Sequence, residues 1–355
     1  MIAPAADLSR FDPPASNALL LAGLVAAGAL GVGAFLAPGA AAWGWLVGFV
    51  FWSSFPIGAI ALSLIHQTTG GRWGLAAAPT LRLGALSALL LPVFFAPLFP
   101  GLHALYPWAN DGAGTAPDVA RAYLNMPAFA VRGLVAILAW AAIGLLVATG
   151  RLGLLGLVFH GVAVSVIAVD WMLSIDPGFS DSAFGAEIAV QQILLALAAV
   201  AVFQPRRAVA IADGDIGGLM LAAALGAFYL GLMTFIVKWY GDQPVDAAWY
   251  LARAHGLQLG FLIGAVVLGA VGPIVGCAWE RVRGTPSALR VVGVSTILGV
   301  GLHDLWLAGS AAPPLAAPAA ALSIVAMAGI SAGLAPRYGR RLRRGAESPA
   351  DGRPS

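Results

Sequence analysis

Residues 152–169 read LGLLGLVFHGVAVSVIAV, and this stretch decides the fold class. Every residue in it is apolar or glycine except His160 and Ser165. A membrane β-strand would alternate polar with apolar residues, whereas a helix that crosses a hydrocarbon core of about 30 Å needs roughly 20 mostly apolar residues. The unbroken apolar run therefore predicts a membrane-spanning helix.

Ten runs of this kind follow one another along the chain. They cover residues 17–37, 43–66, 82–105, 129–149, 152–174, 186–203, 216–238, 256–279, 290–308 and 314–335. Of the 355 residues, 60% are apolar and 10% are charged, against about 25% charged residues in a soluble domain. This composition excludes a soluble enzyme and a disordered chain, and the single cysteine, Cys277, excludes a disulfide scaffold.

We therefore predict an all-α polytopic membrane protein with about ten transmembrane helices. The predicted domains are an N-terminal segment over residues 1–16, a ten-helix transmembrane domain over 17–335, and a basic, disordered tail over 336–355. Of the 19 basic residues, only Arg121, Arg132, Lys238 and Arg253 fall on the side opposite the N-terminus. Positive residues concentrate on the cytoplasmic side, so we expect both termini in the cytoplasm. The basic residues then mark the topology of the chain and lie at the lipid membrane, so no nucleic-acid partner is expected.

A cleaved signal peptide is the alternative interpretation of the first run. Ala40, Ala41 and Ala42 resemble a cleavage site. However, a signal peptide has an apolar region of about 7–15 residues, and the run over 17–37 is longer. We therefore interpret this run as the first transmembrane helix.

A few ionisable residues fall inside the predicted spans, where such groups are costly and indicate function. His160 and Asp170 share the fifth span at a separation of about 15 Å, and Glu187 and Gln191 share one face of the sixth. We predict that His160, Asp170 and Glu187 form a relay that transfers protons. We also predict that His160 and Gln191 contact a quinone. The other predicted members of the proton path are Lys238, His303 and Asp304.

Simpler interpretations of these residues stay open. His160 can be a packed histidine bonded to a carbonyl. Lys238 can extend to the membrane interface, and Gln191 can serve only as a hydrogen bond between helices. No metal-ligand set is predicted.

The connecting segments carry short polar and aromatic motifs at the ends of the spans. They are HQTTGGRWG at 66–74, LYPWA at 105–109, YLN at 123–125, DWMLSIDP at 170–177 and WYGD at 239–242 followed by WYL at 249–251. Over residues 43–285 these motifs resemble the ActF-type membrane subunit of alternative complex III, in the NrfD-like (polysulfide reductase membrane subunit) group. The sequence departs from that pattern after DWMLSIDP, where GFSDS replaces the usual HWYST.

The resemblance implies a fold of two four-helix bundles plus two peripheral helices in a bacterial inner membrane. It implies a subunit of a quinol:cytochrome c oxidoreductase that contributes proton transfer and contacts quinone, without a covalently bound cofactor. It also implies partners, namely a related NrfD-like quinol-binding subunit, an iron–sulfur subunit and c-type cytochromes. Haem and iron–sulfur clusters would then belong to those partner chains.

Three other functions compete with a quinol-oxidising subunit. A cytochrome b needs two facing histidines per haem, and His160 has no partner at its depth among the five histidines. A transporter is indicated by broken helices near mid-membrane, and Pro56, Pro92 and Pro97 interrupt the second and third spans. A purely structural docking subunit is the third alternative.

Overall fold

The computed structural model describes residues 13–147, 152–203, 214–309 and 311–347, with side chains from 16 to 334 within those ranges. The secondary structure of these residues is helical, without a strand. Among them, ten helices are long and apolar enough to cross a membrane. The predicted all-α polytopic class is confirmed, and the chain is a multi-pass integral membrane protein.

The ten long helices are numbered here in chain order. They are α1 (Pro13–Leu36), α2 (Pro38–Thr69), α3 (Arg72–Leu105), α4 (Met126–Leu146), α5 (Gly153–Ile175), α6 (Phe184–Phe203), α7 (Asp215–Gly241), α8 (Gly256–Ala278), α9 (Pro286–Ala308) and α10 (Ala316–Glu347). Short helices also cover Pro107–Ala109, Pro117–Ala122, Pro244–Ala252 and Glu280–Arg283.

The long helices form two four-helix bundles and a peripheral pair, as expected. Helices α2–α5 pack together as the first bundle and α6–α9 as the second, while α1 and α10 pack on each other and on α2. The bundles join where α2 meets α6, and a Cβ on Gly58 would overlap the backbone of Gln192 there. A small residue at such a crossing allows two backbones to touch, as membrane helix packing requires.

The interior of the first bundle is filled by aromatic side chains. Phe95 is fully buried and lies with its ring centroid 5.8 Å from those of Phe49 and Trp171 and 6.0 Å from that of Phe129. In the second bundle, by contrast, α7 and α8 bury little of their surface inside the chain. Much of the surface of these two helices is therefore exposed, and the cavity described below lies between them and α6 and α9.

The loops at the end of the molecule away from Pro13 and Glu347, called the distal end below, bond to one another. Trp108 donates from Nε1 to Ser174 Oγ at 3.1 Å, and Gln258 donates from Nε2 to the Gly309 carbonyl at 2.8 Å. The first bond joins the loop after α3 to the end of α5, and the second joins the start of α8 to the loop after α9. Between the bundles, Trp249 of the segment after α7 donates from Nε1 to Asp176 Oδ2 of the segment after α5 at 3.1 Å, so the distal segments form one layer.

Two helices extend ten or more residues beyond their predicted bounds, α3 at its start and α10 at its end. Helix α3 begins at Arg72 rather than residue 82, directly after Gly70 and Gly71, whose positive φ angles of 72° and 104° form the turn between α2 and α3. Helix α10 continues past residue 335 to Glu347, because this segment is rich in arginine, a strong helix former. Residues 348–355 of the expected tail, and residues 1–12 of the N-terminal segment, lie outside the described residues.

Helix α8 contains an irregular turn at its centre. Residues Ala265–Val271 form a π-helical turn between two α-helical halves, Gly256–Gly264 and Gly272–Ala278. The Ser295 hydroxyl of α9 donates to the Leu268 carbonyl in this turn at 2.9 Å. Such turns inside helices are frequent at functional sites, and this one borders the cavity described next.

Candidate functional site in the second bundle

Four polar side chains of α6 and α9 form a continuous row of hydrogen bonds and one ion-pair contact. Gln191 donates from Nε2 to Asp304 Oδ1 at 2.7 Å, and its Oε1 lies 2.8 Å from His303 Nδ1. His303 Nε2 lies 3.4 Å from Glu187 Oε1. The order Glu187–His303–Gln191–Asp304, called the polar row below, joins two acids through an imidazole and an amide.

Local helix geometry explains why these residues meet. Glu187 and Gln191 are four residues apart and so lie one above the other on α6. His303 and Asp304 are adjacent near the distal end of α9, and α9 runs antiparallel to α6. Gln191 thereby contacts His303, 112 positions away in the sequence, and Asp304, 113 positions away.

The amide orientation determines where the protons lie. Because Gln191 uses its NH₂ group toward Asp304, its oxygen can only accept, so His303 Nδ1 carries a hydrogen. His303 Nε2 is then the nitrogen that exchanges a proton with the Glu187 carboxyl group. Asp304 is fully buried, and its Oδ2 has no hydrogen-bond partner among the described residues.

A cavity of about 440 Å³ adjoins the polar row between α6, α7, α8 and α9. Glu187, Gln191 and His303 contribute to its wall, whereas Asp304 lies behind them. The remaining wall is mostly apolar and aromatic; its aromatic members are Phe179, Phe184, Phe228, Phe235, Trp249, Tyr250 and Trp306. Apolar cavities of about 300–1,000 Å³ with a few convergent polar groups are typical ligand sites.

The distal side of this cavity is covered by the Pro244–Ala252 helix and the residue that follows it. The Trp249 ring stacks on Phe179 with centroids 4.2 Å apart, and its Nε1 donates to Asp176 Oδ2 at 3.1 Å. Arg253 pairs with the same Asp176 oxygen and lies over the Trp249 ring. Burial raises the pKa of Tyr250, so its hydroxyl in the cavity wall stays protonated.

Asp170 lies in a different place, in an ion pair of the first bundle. Arg132 of α4 holds it with two bonds, Nε to Oδ2 at 2.7 Å and Nη2 to Oδ1 at 2.9 Å. The Arg132 guanidinium also lies 3.8 Å from the centre of the Tyr123 ring, and burial raises the pKa of Tyr123 to about 12. Asp170 is fully buried and compensated by Arg132.

His160 is buried between α4 and α5, away from both clusters. Its ring lies 6.3 Å from the Trp140 ring, and neither of its nitrogens has a hydrogen-bond partner among the described residues. No described hydrogen bond or ion pair joins it to Asp170 or Glu187. The structure thus brings Glu187, Gln191 and His303 together and leaves His160 and Asp170 apart from them.

Lys238 also lies outside the polar row. Its Nζ pairs with Asp246 Oδ1 at 3.0 Å and lies 5.0 Å from the centre of the Phe179 ring. It therefore belongs to the covering layer of the cavity. Asp304, another predicted member of the proton path, bonds to Gln191.

Sequence reasoning did not select Arg132, Asp176 or Arg253 as site residues. Arg132 lies within α4, six residues after its first residue, and a basic group inside a span requires an acidic partner. This requirement predicts that Arg132 pairs with an acidic residue at the same depth on a neighbouring span. No local signal identifies Arg253, since its contacts come from three separate loops.

Comparisons with known proteins add no assignment. No protein-family model and no curated protein sequence matches this chain. The resemblance to the ActF-type subunit stays a prediction, and function must be argued from the polar row and the cavity it adjoins.

Proposed function

We propose that this chain is a membrane subunit of a quinol-oxidising respiratory complex, and that it contacts the quinone ring in the α6–α9 cavity. The observation that carries the proposal is the polar row in the wall of a mostly apolar and aromatic cavity, which Asp181, Thr234 and Arg253 also line. A quinol brings an apolar ring with two hydroxyl groups, and its oxidation releases two electrons and two protons.

The chain can supply groups for the protons. Glu187 and His303 face the cavity and share one exchangeable proton position between Oε1 and Nε2. Gln191 holds the imidazole with its Nδ1 hydrogen in place, so that Nε2 is the reactive nitrogen. Proton exchange by a positioned side chain is general acid–base catalysis, and here Glu187 is the acceptor, with His303 beside it.

The electrons would pass to partner chains. In this proposal, the iron–sulfur subunit and the c-type cytochromes take the electrons, and a related NrfD-like subunit completes the membrane part. Asp304, behind Gln191, extends the row away from the cavity, which supports its role in the proton path. The proton-transfer roles predicted for His160 and Asp170 are not part of this route, because their contacts lie in the first bundle.

The proposal is tested by replacing Glu187 in the complex purified from its native membrane. Glu187→Gln keeps the shape of the side chain and its contact with His303 but removes proton acceptance. We expect the rate of quinol oxidation to fall about 100-fold, with the complex present at its usual amount. A wild-type rate at wild-type amounts of complex would exclude Glu187 as the proton acceptor.

A matched pair on α6 separates positioning from packing. Gln191→Leu removes both bonds of the amide, whereas Gln192→Leu changes the neighbouring buried amide, which does not contribute to the cavity wall. We expect slower turnover only for Gln191→Leu. Equal effects of the two substitutions would mean that α6 packing, and not the polar row, is being measured.

The same preparation tests the assembly. Co-purification of c-type haem and iron–sulfur proteins with a colourless chain would support a respiratory subunit. A transporter is favoured by one observation, the irregular turn of α8 beside buried acids. Solute uptake driven by an ion gradient, by the chain alone in liposomes, would support that alternative.

A further inference from the structure

The second bundle opens on one side, between α7 and α8. Helix α7 packs on α8 along the π-helical turn and along Gly272–Ala278, whereas the distal half of α8, Gly256–Gly264, packs on α9. The two helices thus meet in the half nearest the termini and border the cavity from opposite sides in the distal half.

Apolar side chains border this opening, called the α7–α8 gap below. Phe228, Leu232 and Phe235 of α7 and Leu259 and Val266 of α8 contribute to the cavity wall, and each is between 37% and 40% exposed. The cavity therefore continues to the outer surface of the bundle at this point. At 1.5 Å per residue the gap extends about 10 Å along α7, from Phe228 to Phe235.

A backbone contact keeps the gap open. Gly269 in the π-helical turn lies against Gly299 of α9 so closely that a Cβ on Gly299 would overlap the Gly269 backbone. Together with the bond from Ser295 to the Leu268 carbonyl, this contact holds the centre of α8 on α9. The distal half of α8 consequently follows α9 and diverges from α7.

The gap lies within the membrane-spanning length of both helices. Phe235 is six residues before the last residue of α7, or about 9 Å along the helix axis. At that depth an apolar opening faces lipid tails and not water. A polar solute has no reason to enter there, whereas a lipid-soluble molecule meets the opening directly.

We infer that the cavity receives its ligand sideways from the bilayer through the α7–α8 gap, and that the ligand is a ring compound with a long hydrocarbon tail. The inference rests on the proposed function, which supplies the quinone ring. The ring lies against Glu187, Gln191 and His303, and the isoprenoid tail leaves through the gap into the membrane. The apolar side chains that border the gap suit a hydrocarbon tail that contacts both the protein and the lipid.

Two photoreactive quinones locate the ring and the tail in the purified complex. One is a decylubiquinone with an azide on the ring, and the other has the azide at the far end of the decyl tail. We expect the ring azide to label cavity residues such as Trp249, and the tail azide to label Leu232, Leu259 or Val266. The labelled residues are identified by mass spectrometry of the digested chain.

The two possible failures are distinguishable. Ring labelling in the cavity with tail labelling on the Pro244–Ala252 helix or on the first bundle would overturn lateral access and leave the proposed function intact. Ring labelling outside the cavity would overturn the proposed function, and with it the quinone route through the gap.

Substitutions that narrow the gap give an independent readout. In Leu232→Trp with Leu259→Trp, two indole rings face each other across the gap; the matched control is Leu225→Trp with Leu257→Trp, at exposed positions that do not contribute to the cavity wall. We expect the ratio of the KM for decylubiquinol to the KM for its tail-less ring homologue to rise about tenfold or more in the gap variant alone. An unchanged KM for the tailed quinol, or an equal rise for both quinols, would overturn the inference.

Discussion

Gln191 determines the state of two ionisable neighbours, because an amide has one accepting and one donating end. With its donor on Asp304 and its acceptor on His303, it places a hydrogen on His303 Nδ1 and leaves Nε2 for Glu187. An alternative amide orientation would put two acceptors against each other at Asp304. A neutral side chain thereby controls which atoms of the polar row can exchange protons with the cavity.

The other buried acid, Asp170, depends on a single basic partner. Removing Arg132 would leave an uncompensated charge in the first bundle, so we expect Arg132→Ala to cost about 3–5 kcal/mol of stability. The additional change Asp170→Ala should recover most of that loss, because it removes the stranded charge. Thermal unfolding of the detergent-purified chain measures both effects.

Arg121→Ala is the control for this pair, since Arg121 is exposed in the short helix Pro117–Ala122. We expect Arg121→Ala to change the thermal unfolding temperature very little. If Arg132→Ala unfolds at the wild-type temperature, or if the double variant is no better than the single one, Asp170 is compensated by other groups.

At the scale of helices, glycine positions decide how closely neighbours approach. The contact of Gly269 with Gly299 holds the centre of α8 against α9. Gly269 is part of the π-helical turn, so loss of this contact would change both the turn and the part of the cavity wall that the turn contributes. Packing of these two helices thus shapes the candidate site.

We expect Gly299→Ala to destabilise the chain by about 1–3 kcal/mol, as overpacking does, and to reduce quinol oxidation. The control is Gly260→Ala on α8, where an added Cβ meets nothing within 4 Å. In a helix, alanine is favoured over glycine by about 0.5–1 kcal/mol, so this control should be neutral or slightly stabilising. A similar thermal midpoint for both variants would contradict a tight α8–α9 crossing.

At the scale of the whole molecule, the distribution of arginine predicts the orientation of the distal end. Fifteen of the 19 basic residues lie on the side of the N-terminus in the ten-span topology, so the distal loops should face away from the cytoplasm. The candidate site would then lie in the half of the membrane opposite the termini.

Cysteine labelling measures this orientation. Cys277 is fully buried, and Cys277→Ala provides a background without cysteine. Ala247→Cys lies in the exposed distal helix and Glu280→Cys at the opposite end of α8. We expect a membrane-impermeant maleimide to label position 247 in intact cells and position 280 only after permeabilisation; the reverse pattern would invert the topology.

The predicted relay shows how far sequence reasoning could reach toward the site. Helix periodicity placed Glu187 and Gln191 on one face of α6, and they do share a site. The predicted relay also grouped Glu187 with Asp170 and His160, because all three are ionisable residues inside two adjacent spans, where such groups indicate function. In the structure Asp170 contacts Arg132, His160 contacts Trp140, and Glu187 contacts His303. Helix periodicity cannot orient the helices that carry these residues relative to one another.

The sequence by itself determined the ten spans, their helical character and the few ionisable residues inside them. These follow from the local requirement that a chain in lipid satisfies its own backbone hydrogen bonds and exposes apolar side chains. Only the tertiary structure decided that α6 and α9 bring the polar row together, and that α7 and α8 diverge to open a cavity beside it. The physical reason is that lipid is as apolar as the helix surfaces, so hydrophobicity does not determine which helices pack together. Close packing between specific small residues determines it instead.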